Sequence, residues 1–170
     1  MPPPIAIVFF LTGIAVWANA LYFLGVAAQR AEGGSDPVKA VGWITLVAGL
    51  SDFLQVLVIG SGNNLLGGLV VFYAAFFTLL GIAEIAGLDL RVVGNVSAAV
   101  AIVPLFYWDF VSGSWMLQSI LVVWAVVFLA ITATTYGRFS GKGLGALLVG
   151  TAVYTFWLPA VLLALGNEIP

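Results

Sequence analysis

LLGGLVVFYAAFFTLLGIAEIAGLDLR, residues 65–91, runs apolar through position 86 with a single charge, Glu84, and then breaks into a turn that carries Asp89 and Arg91. Its reading depends on whether so long an oily segment is the core of a soluble fold or a crossing of a bilayer. A crossing needs about 20 predominantly apolar residues as a helix, which the part from 65 to 86 supplies. The rest of the chain decides the same way. Of its 170 residues, 63% are hydrophobic and 7% charged, whereas soluble domains carry roughly 25% charged residues. Such a chain cannot wet its own surface. With no water in the hydrocarbon, only helices or a closed barrel satisfy the backbone, and the apolar blocks are continuous rather than alternating, which excludes barrel strands.

Reading outward for breaks gives six spans, at 5–28, 38–60, 65–86, 92–110, 115–136 and 144–166, joined by AQRAEGGSDP, SGNN, GLDLR, VSGS and GRFSGKG. All five connections are short and rich in Gly, Ser, Asn or charge, so the expectation is one transmembrane domain over 1–170: an all-α six-helix integral membrane bundle with no soluble domain. The first block lacks a basic leader and exceeds the length of a signal-peptide core, so it counts as a true span. The basic residues are Arg30, Lys39, Arg91, Arg138 and Lys142. Every one falls in the first, third or fifth connection or at its edge. Six spans put those connections on one side, which the positive-inside rule assigns to the cytoplasm, leaving both termini outside. Trp43, Trp108 and Trp115 sit near span ends and read as interface anchors.

Two acids need an account. Glu84 lies a few residues before the cytoplasmic turn, close to the headgroups at about 1.5 Å rise per residue. A negative charge in the last turn of a helix opposes the macrodipole, so Arg91, Lys142 or Lys39 is expected to hold it. Asp52 lies deeper, about 20 Å along the second span, with no cation at similar depth. It must be protonated, hydrogen-bonded to a neighbouring helix or facing water, and Gln55 shares its helical face. Both acids, and Gln55, are candidates for a polar pore position or a structural one.

There is no histidine and no cysteine, which removes the common zinc sites, thiol chemistry and imidazole acid–base catalysis. No glycine pattern of the phosphate-binding type opens a helix, and no basic surface fits nucleic acid. The expectation is a protein that is not an enzyme and holds no cofactor or metal. Passage of a solute, or assembly with other proteins, remains.

On these residues the chain resembles the urea channel and amide transporter family (the UreI/AmiS type): six short spans with outside termini, GLDLR at 87–91, LTGIAVWAN at 11–19, WMLQSILVVWAVVFLA at 115–130 and FWLPAVLLALG at 156–166. The similarity covers nearly the whole chain, and GLDLR is its most specific piece. The resemblance implies passive passage of urea or short aliphatic amides such as acetamide through each protomer, in the bacterial inner membrane. It also implies a homo-hexameric ring whose pores run separately; a central opening in such a ring would be lined by apolar side chains and so is expected to hold lipid rather than water. Leu117, Leu121, Trp124 and Phe128 fall in one stripe along the fifth span. By the resemblance this stripe is the pore wall, with Trp124 where the family places a Trp, Phe128 in place of a second Trp and Val127 in place of a Leu. The same resemblance adds Asn19, Thr151, which aligns with a family acid, and Trp157. In the third span it aligns Ala75 and Leu79 with the family's aromatic rings, with Phe76 and Phe77 beside them.

Pro159 follows Trp157 as in the family, and lacking an N–H it frees the carbonyl of Thr155. Pro104 does the same for Val100, read as a packing kink. The acid-gated members carry a long outer loop with histidines, whereas the outer loops here are SGNN and VSGS, so no gating is expected around pH 5 to 7. Ala74 with Thr78, and Ala146 with Gly150, have the small-xxx-small spacing of membrane helix contacts, either in the bundle or between protomers. The alternative to a channel is a proton-coupled carrier that titrates Asp52 or Glu84; a non-transporting assembly subunit ranks third.

Overall fold

A computed structural model describes residues 4–60, 62 and 64–170. Its elements are α1 (Pro4–Leu24), α2 (Pro37–Ile59), α3 (Asn64–Ala86), α4 (Leu90–Ile102) continued by a 3-10 turn (Val103–Tyr107), α5 (Trp115–Thr135), and α6 (Gly141–Thr151) running through a π segment (Ala152–Trp157) into α7 (Leu158–Ala164). Among the described residues, six helical units are long and apolar enough to cross a membrane, the last formed by α6, the π segment and α7. Of the expected SGNN connection, residues 61 and 63 lie outside the described ones.

Polar residues in the connections start the helices. Asp36, Asp89, Ser114 and Ser140 each accept a backbone N–H of the first turn, from Val38, Arg91, Leu117 and Gly143 respectively, satisfying donors that a helix leaves unpaired. Pro37 opens α2, where a missing N–H costs nothing. Glycines end them: Gly87 and Gly137 follow α3 and α5 at φ 65° and 68°, the left-handed region open to a residue without Cβ.

Three features of the spans depart from the hydropathy reading. The first helix stops at Leu24 rather than 28, because Gly25 turns left-handed at φ 90° and Ala27 follows at φ 53°. The apolar run continues through Val26-Ala27-Ala28, but apolarity does not oblige a residue to be helical. The fourth span is α-helical only to Ile102 and then tightens into the 3-10 turn that contains Pro104. In the sixth span the irregularity starts a full turn before Pro159: Leu158 N–H reaches back five residues to the carbonyl of Val153. An extra residue is thus accommodated in a wide turn, and the proline sits at its exit rather than causing a simple kink.

Each span packs against its neighbours in sequence, and the sixth returns to the first, closing a ring of helices. The ends interlock in register. At one end Gly145 of α6 approaches Ala20 and Leu24 of α1, Gly42 of α2 approaches Glu84 and Ile85 of α3, and Gly94 of α4 approaches Thr135 of α5. That end therefore gathers the first, third and fifth connections and with them Arg30, Lys39, Arg91, Arg138 and Lys142, all of them exposed. At the other end, the start of α1 packs through Ile5 and Val8 on Ile59 and Val70, and the Pro170 carbonyl accepts from Ser114 Oγ at 2.6 Å and from Met116 N at 2.9 Å.

In lipid there is no hydrophobic gain from pressing one apolar helix on another, so close backbone approach through small residues carries the packing. The most extensive contact, α2 against α3, is built this way. Gly49 lies against Ala74 and Thr78, and Gly81 against Gly42 and Leu46. Ala74 and Thr78 thus belong to the bundle interior, whereas Ala146 and Gly150 face outward. The outer surface is strongly apolar, with Leu57 76% and Phe106 81% exposed, as expected of a surface that meets lipid. Trp43, Trp108 and Trp115 are on this outside as well.

Candidate functional site

The ring of helices encloses two hollows in line, one towards each end. The larger, 310 Å³, opens towards the end that carries the basic residues; it lies between α1, α3, α5 and the sixth span, with Leu90 and Val93 of α4 near its mouth. The smaller, 40 Å³, lies towards the end that carries the chain termini. Trp124 and Phe156 line both and form the partition between them.

The partition belongs to an aromatic cluster. The rings of Trp124 and Phe156 stack at 5.5 Å with 23° between planes. Tyr73 meets Trp124 edge-on at 4.8 Å and stacks on Phe128 at 5.5 Å, while Phe76 meets Phe128 edge-on at 4.8 Å. One polar anchor fixes the central ring: the Trp124 indole N–H donates to Thr155 Oγ1 at 2.9 Å, and the Thr155 hydroxyl donates to the Thr151 carbonyl at 2.8 Å. The widened π turn presents Thr155 and Phe156 together at this level. Thr155→Val keeps the shape but leaves the buried indole N–H unpaired, a cost of about 1–3 kcal/mol. We expect a lower melting temperature in detergent for this variant, restored by Thr155→Ser.

The walls of the larger hollow are mostly apolar, among them Val16, Leu80, Val127 and Ile131, and polar side chains are few: Asn19, Glu84, Thr134, Thr135 and Thr151. Asn19 is held by α2, its amide N–H groups donating to Thr45 Oγ1 at 2.9 Å and to the Ala15 carbonyl at 3.0 Å. Thr151 donates to the Leu147 carbonyl at 2.8 Å. Glu84 is only 5% exposed, and its Oε2 has no hydrogen-bond partner in the protein. The expected ion pair does not form: among the described residues no basic side chain reaches Glu84, and Arg91 turns instead to Asp89. The reason is local. Asp89 caps α4 two residues before Arg91, so the two side chains meet without any ordering of distant chain, and both stay in the exposed turn. The Arg91 guanidinium and backbone N–H hold the Asp89 carboxyl down to about 2.

In the smaller hollow, Asp52 is fully buried and accepts from Thr12 Oγ1 at 2.6 Å through Oδ2, while Oδ1 is unpartnered. The expected interhelical hydrogen bond is therefore present, from α1 to α2. Gln55 lines neither hollow.

Of the residues singled out in the sequence, Trp124, Val127, Phe128, Asn19, Thr151 and Glu84 come together around the larger hollow, and Asp52 joins Trp124 at the smaller. Leu121 is buried beside Trp124 yet reaches neither hollow, and Leu117 packs behind it. Leu79 and Trp157 also lie outside both hollows. Leu79 is 51% exposed on the outside of the bundle, and α3 instead turns Tyr73, Phe76, Phe77, Leu80 and Glu84 inward. Trp157 packs on Trp17 at 5.1 Å with its ring against Gly13, outside both hollows; its neighbour Phe156 takes the inner position. Tyr73, Thr12 and Phe156 were missed. The signal for the α3 face was in the sequence, since Glu84, Leu80, Phe77 and Tyr73 follow one another at steps of four, three and four, and a buried acid marks the inward side.

No protein family's model matches the chain, and no curated protein matches it in sequence. Solved structures do. It superposes on the crystal structure of the urea channel from the human gastric pathogen Helicobacter pylori with a TM-score of 0.77 over 93% of this chain and 96% of that one, at 18% identity. A cryo-EM structure of the Helicobacter pylori urea channel in a closed state matches with a TM-score of 0.69 over 97% and 100%, again at 18% identity. The chain thus has the urea-channel fold over nearly its full length.

Proposed function

We propose that this protein is a passive channel, not an enzyme, for small uncharged amides such as urea and acetamide, placed in the bacterial inner membrane. Both termini face outward and the basic connections face the cytoplasm, in accord with the gathering of all five cations at one end of the bundle. The observation that carries the reading is the pair of hollows in line, meeting at Trp124 and Phe156. A planar amide has two nearly apolar faces that rings can cover and polar edges that a few side chains can satisfy. An ion there would lose its hydration against apolar walls, at a cost of order tens of kcal/mol before relaxation. We place the pore within each protomer, where the two hollows lie. We propose a homo-hexameric ring, whose protomers would meet through the strongly apolar outer surface.

Purified protein in proteoliposomes tests this. Urea and acetamide flux should exceed that of empty vesicles, with no ionic current in planar bilayers; current carried by the protein would refute it. The pore is ungated between pH 5 and 7. No histidine is present, and Asp89, with its carboxyl held at about 2, keeps its charge throughout that window. Its pairing is complete above the ordinary carboxylate range and is lost only as pH falls through its lowered value. Urea flux should change by less than about twofold across the window, whereas a histidine switch would turn over near pH 6; a larger change would point to Asp52 or Glu84, the acids that line the hollows.

The unpartnered oxygens of Asp52 and Glu84 favour a second reading, a proton-coupled carrier. An imposed pH difference separates the two: a carrier accumulates amide against its gradient, and a channel does not.

A further inference from the structure

Thr45 of α2 is fully buried and lines neither hollow, yet its hydroxyl governs a group that does. Asn19 stands on the inward face of α1, between Val16 and Phe23 at steps of three and four, and all three border the larger hollow. Its amide nitrogen donates one hydrogen to the Ala15 carbonyl at 3.0 Å and the other to Thr45 Oγ1 at 2.9 Å. In that contact Thr45 only accepts. Its single hydrogen goes to the Val41 carbonyl, 2.9 Å away, and the other group within its hydrogen-bonding reach is the Glu84 carboxyl, a further acceptor. An amide turned the other way would set its oxygen against the Ala15 carbonyl and the Thr45 lone pairs, with no donor facing it. The nitrogen is therefore fixed towards α2, and the oxygen is left over. Among the described residues nothing donates to Asn19 Oδ1, and it is not one of the unpartnered interior oxygens that no water can touch. With Asn19 only 5% exposed, the space this oxygen opens onto is the hollow that Asn19 lines.

Glu84 apart, the other polar hydrogens of side chains around this hollow are also spent inside the protein. Thr134, Thr135 and Thr151 donate to the carbonyls of Ala130, Thr132 and Leu147, and the Trp124 indole N–H donates to Thr155. Hydroxyls used in this way keep only lone pairs to offer.

We propose that Thr45 is a positioning residue: it turns the Asn19 carbonyl oxygen into the larger hollow and so sets that hollow to accept hydrogen bonds from the N–H groups of a passing amide. The inference rests on the amide-channel reading above and gives it a substrate class, solutes with unsubstituted N–H edges over isomers of the same size that carry fewer. An N–H that sheds water finds Oδ1 in its place. Exchanging that N–H for N–CH3 loses the bond and leaves Oδ1 facing a methyl group, and a site built to hydrogen-bond a group discriminates against an analogue that lacks it.

Acetamide and N-methylformamide are isomers, the first with two N–H bonds and the second with one, so a preference between them reads donors rather than size. The test measures protein-mediated flux of both in proteoliposomes for wild type, Thr45→Val, Thr45→Ser, Asn19→Leu and the double variant of Thr45→Val with Asn19→Leu, each checked for a monodisperse elution profile. Wild type should favour acetamide by at least about threefold, the size of one modest hydrogen bond. Thr45→Val keeps the shape of the side chain but removes the acceptor, which frees the Asn19 amide to turn an N–H inward; the preference should fall by at least about twofold, and Thr45→Ser should keep it. Asn19→Leu should lose the preference as well, and adding Thr45→Val to it should change nothing further, because Thr45 acts through Asn19. If Thr45→Val does not elute as folded protein, Asn19→Leu carries the same comparison. An unchanged preference in either single variant, equal slowing of both solutes, or no preference in wild type overturns the inference while leaving the channel intact. Absence of acetamide flux in wild type would instead remove the channel reading itself.

Discussion

Trp124→Ala should join the two hollows into one passage and abolish discrimination by size. The indole is one of two rings common to both, stacked on the other, Phe156, edge-on to Tyr73 and tethered to Thr155. Truncation removes the partition without touching either mouth. Urea flux should hold or rise, while glycerol, excluded by the closed rings, should enter. The urea-to-glycerol permeability ratio should fall by at least about tenfold, that is, about 1.4 kcal/mol of lost selectivity. The same substitution empties part of a packed aromatic cluster and should cost about 3–5 kcal/mol of stability. Thermal melting in detergent reports the second effect and stopped-flow light scattering of proteoliposomes the first. Trp124→Phe should keep most of the selectivity while losing the bond to Thr155. A glycerol barrier that survives Trp124→Ala would show that the partition lies elsewhere.

Gly81→Val should break the bundle rather than the pore. A Cβ at position 81 would sit 2.5 Å from the backbone nitrogen of Leu46 and 2.7 Å from the carbonyl oxygen of Gly42. Both are main-chain atoms of α2, so no side chain can swing aside and the whole helix must retreat. That retreat also opens the contacts of Gly49 with Ala74 and Thr78. Overpacking commonly costs about 1–3 kcal/mol, and a forced helix separation belongs at or above the top of that range. The expected result is little monodisperse protein and a strongly lowered melting temperature. Gly150→Ala is the control. A Cβ there meets no atom within 4 Å, and alanine is the better helix former by about 1 kcal/mol, so its melting temperature should be unchanged or higher. Equal behaviour of the two variants would mean that α2 and α3 do not pack as described.

The inner face of α3 shows why the site was harder to read than the spans. Tyr73, Phe76, Phe77 and Leu80 differ little in hydropathy from Leu79, which faces out. In a soluble helix the polar side declares the surface. Here lipid and interior favour the same residues, and a shift of three positions along α3 carries no hydropathic penalty. Glu84 was the one marker of the inward face, and its reach to a cation was misjudged because Arg91 had a closer partner in Asp89. Likewise Trp157 and Phe156 are adjacent aromatics, and only the π turn decides which of them faces the hollows. The fifth span was more legible, because Trp124, Val127 and Phe128 cluster on one side and did arrive at the larger hollow together.

Taken alone, the sequence determined that the chain is helical, that it has six spans, where the connections fall and which of them share an end. Backbone groups in hydrocarbon allow only helices or a closed barrel, the unbroken apolar blocks exclude barrel strands, and polar breaks must sit where water is. It also narrowed Asp52 to a protonated, hydrogen-bonded or water-facing state, because an unpaired desolvated charge is costly. Which of two adjacent aromatics faces inward in the sixth span, the meeting of Asp52 with Thr12, and the division of the interior at Trp124 and Phe156 were decided only by tertiary structure. Those choices turn on steric fit between side chains far apart in sequence, notably the close approach of α2 and α3 at their glycines, and no local pattern along the chain encodes that fit.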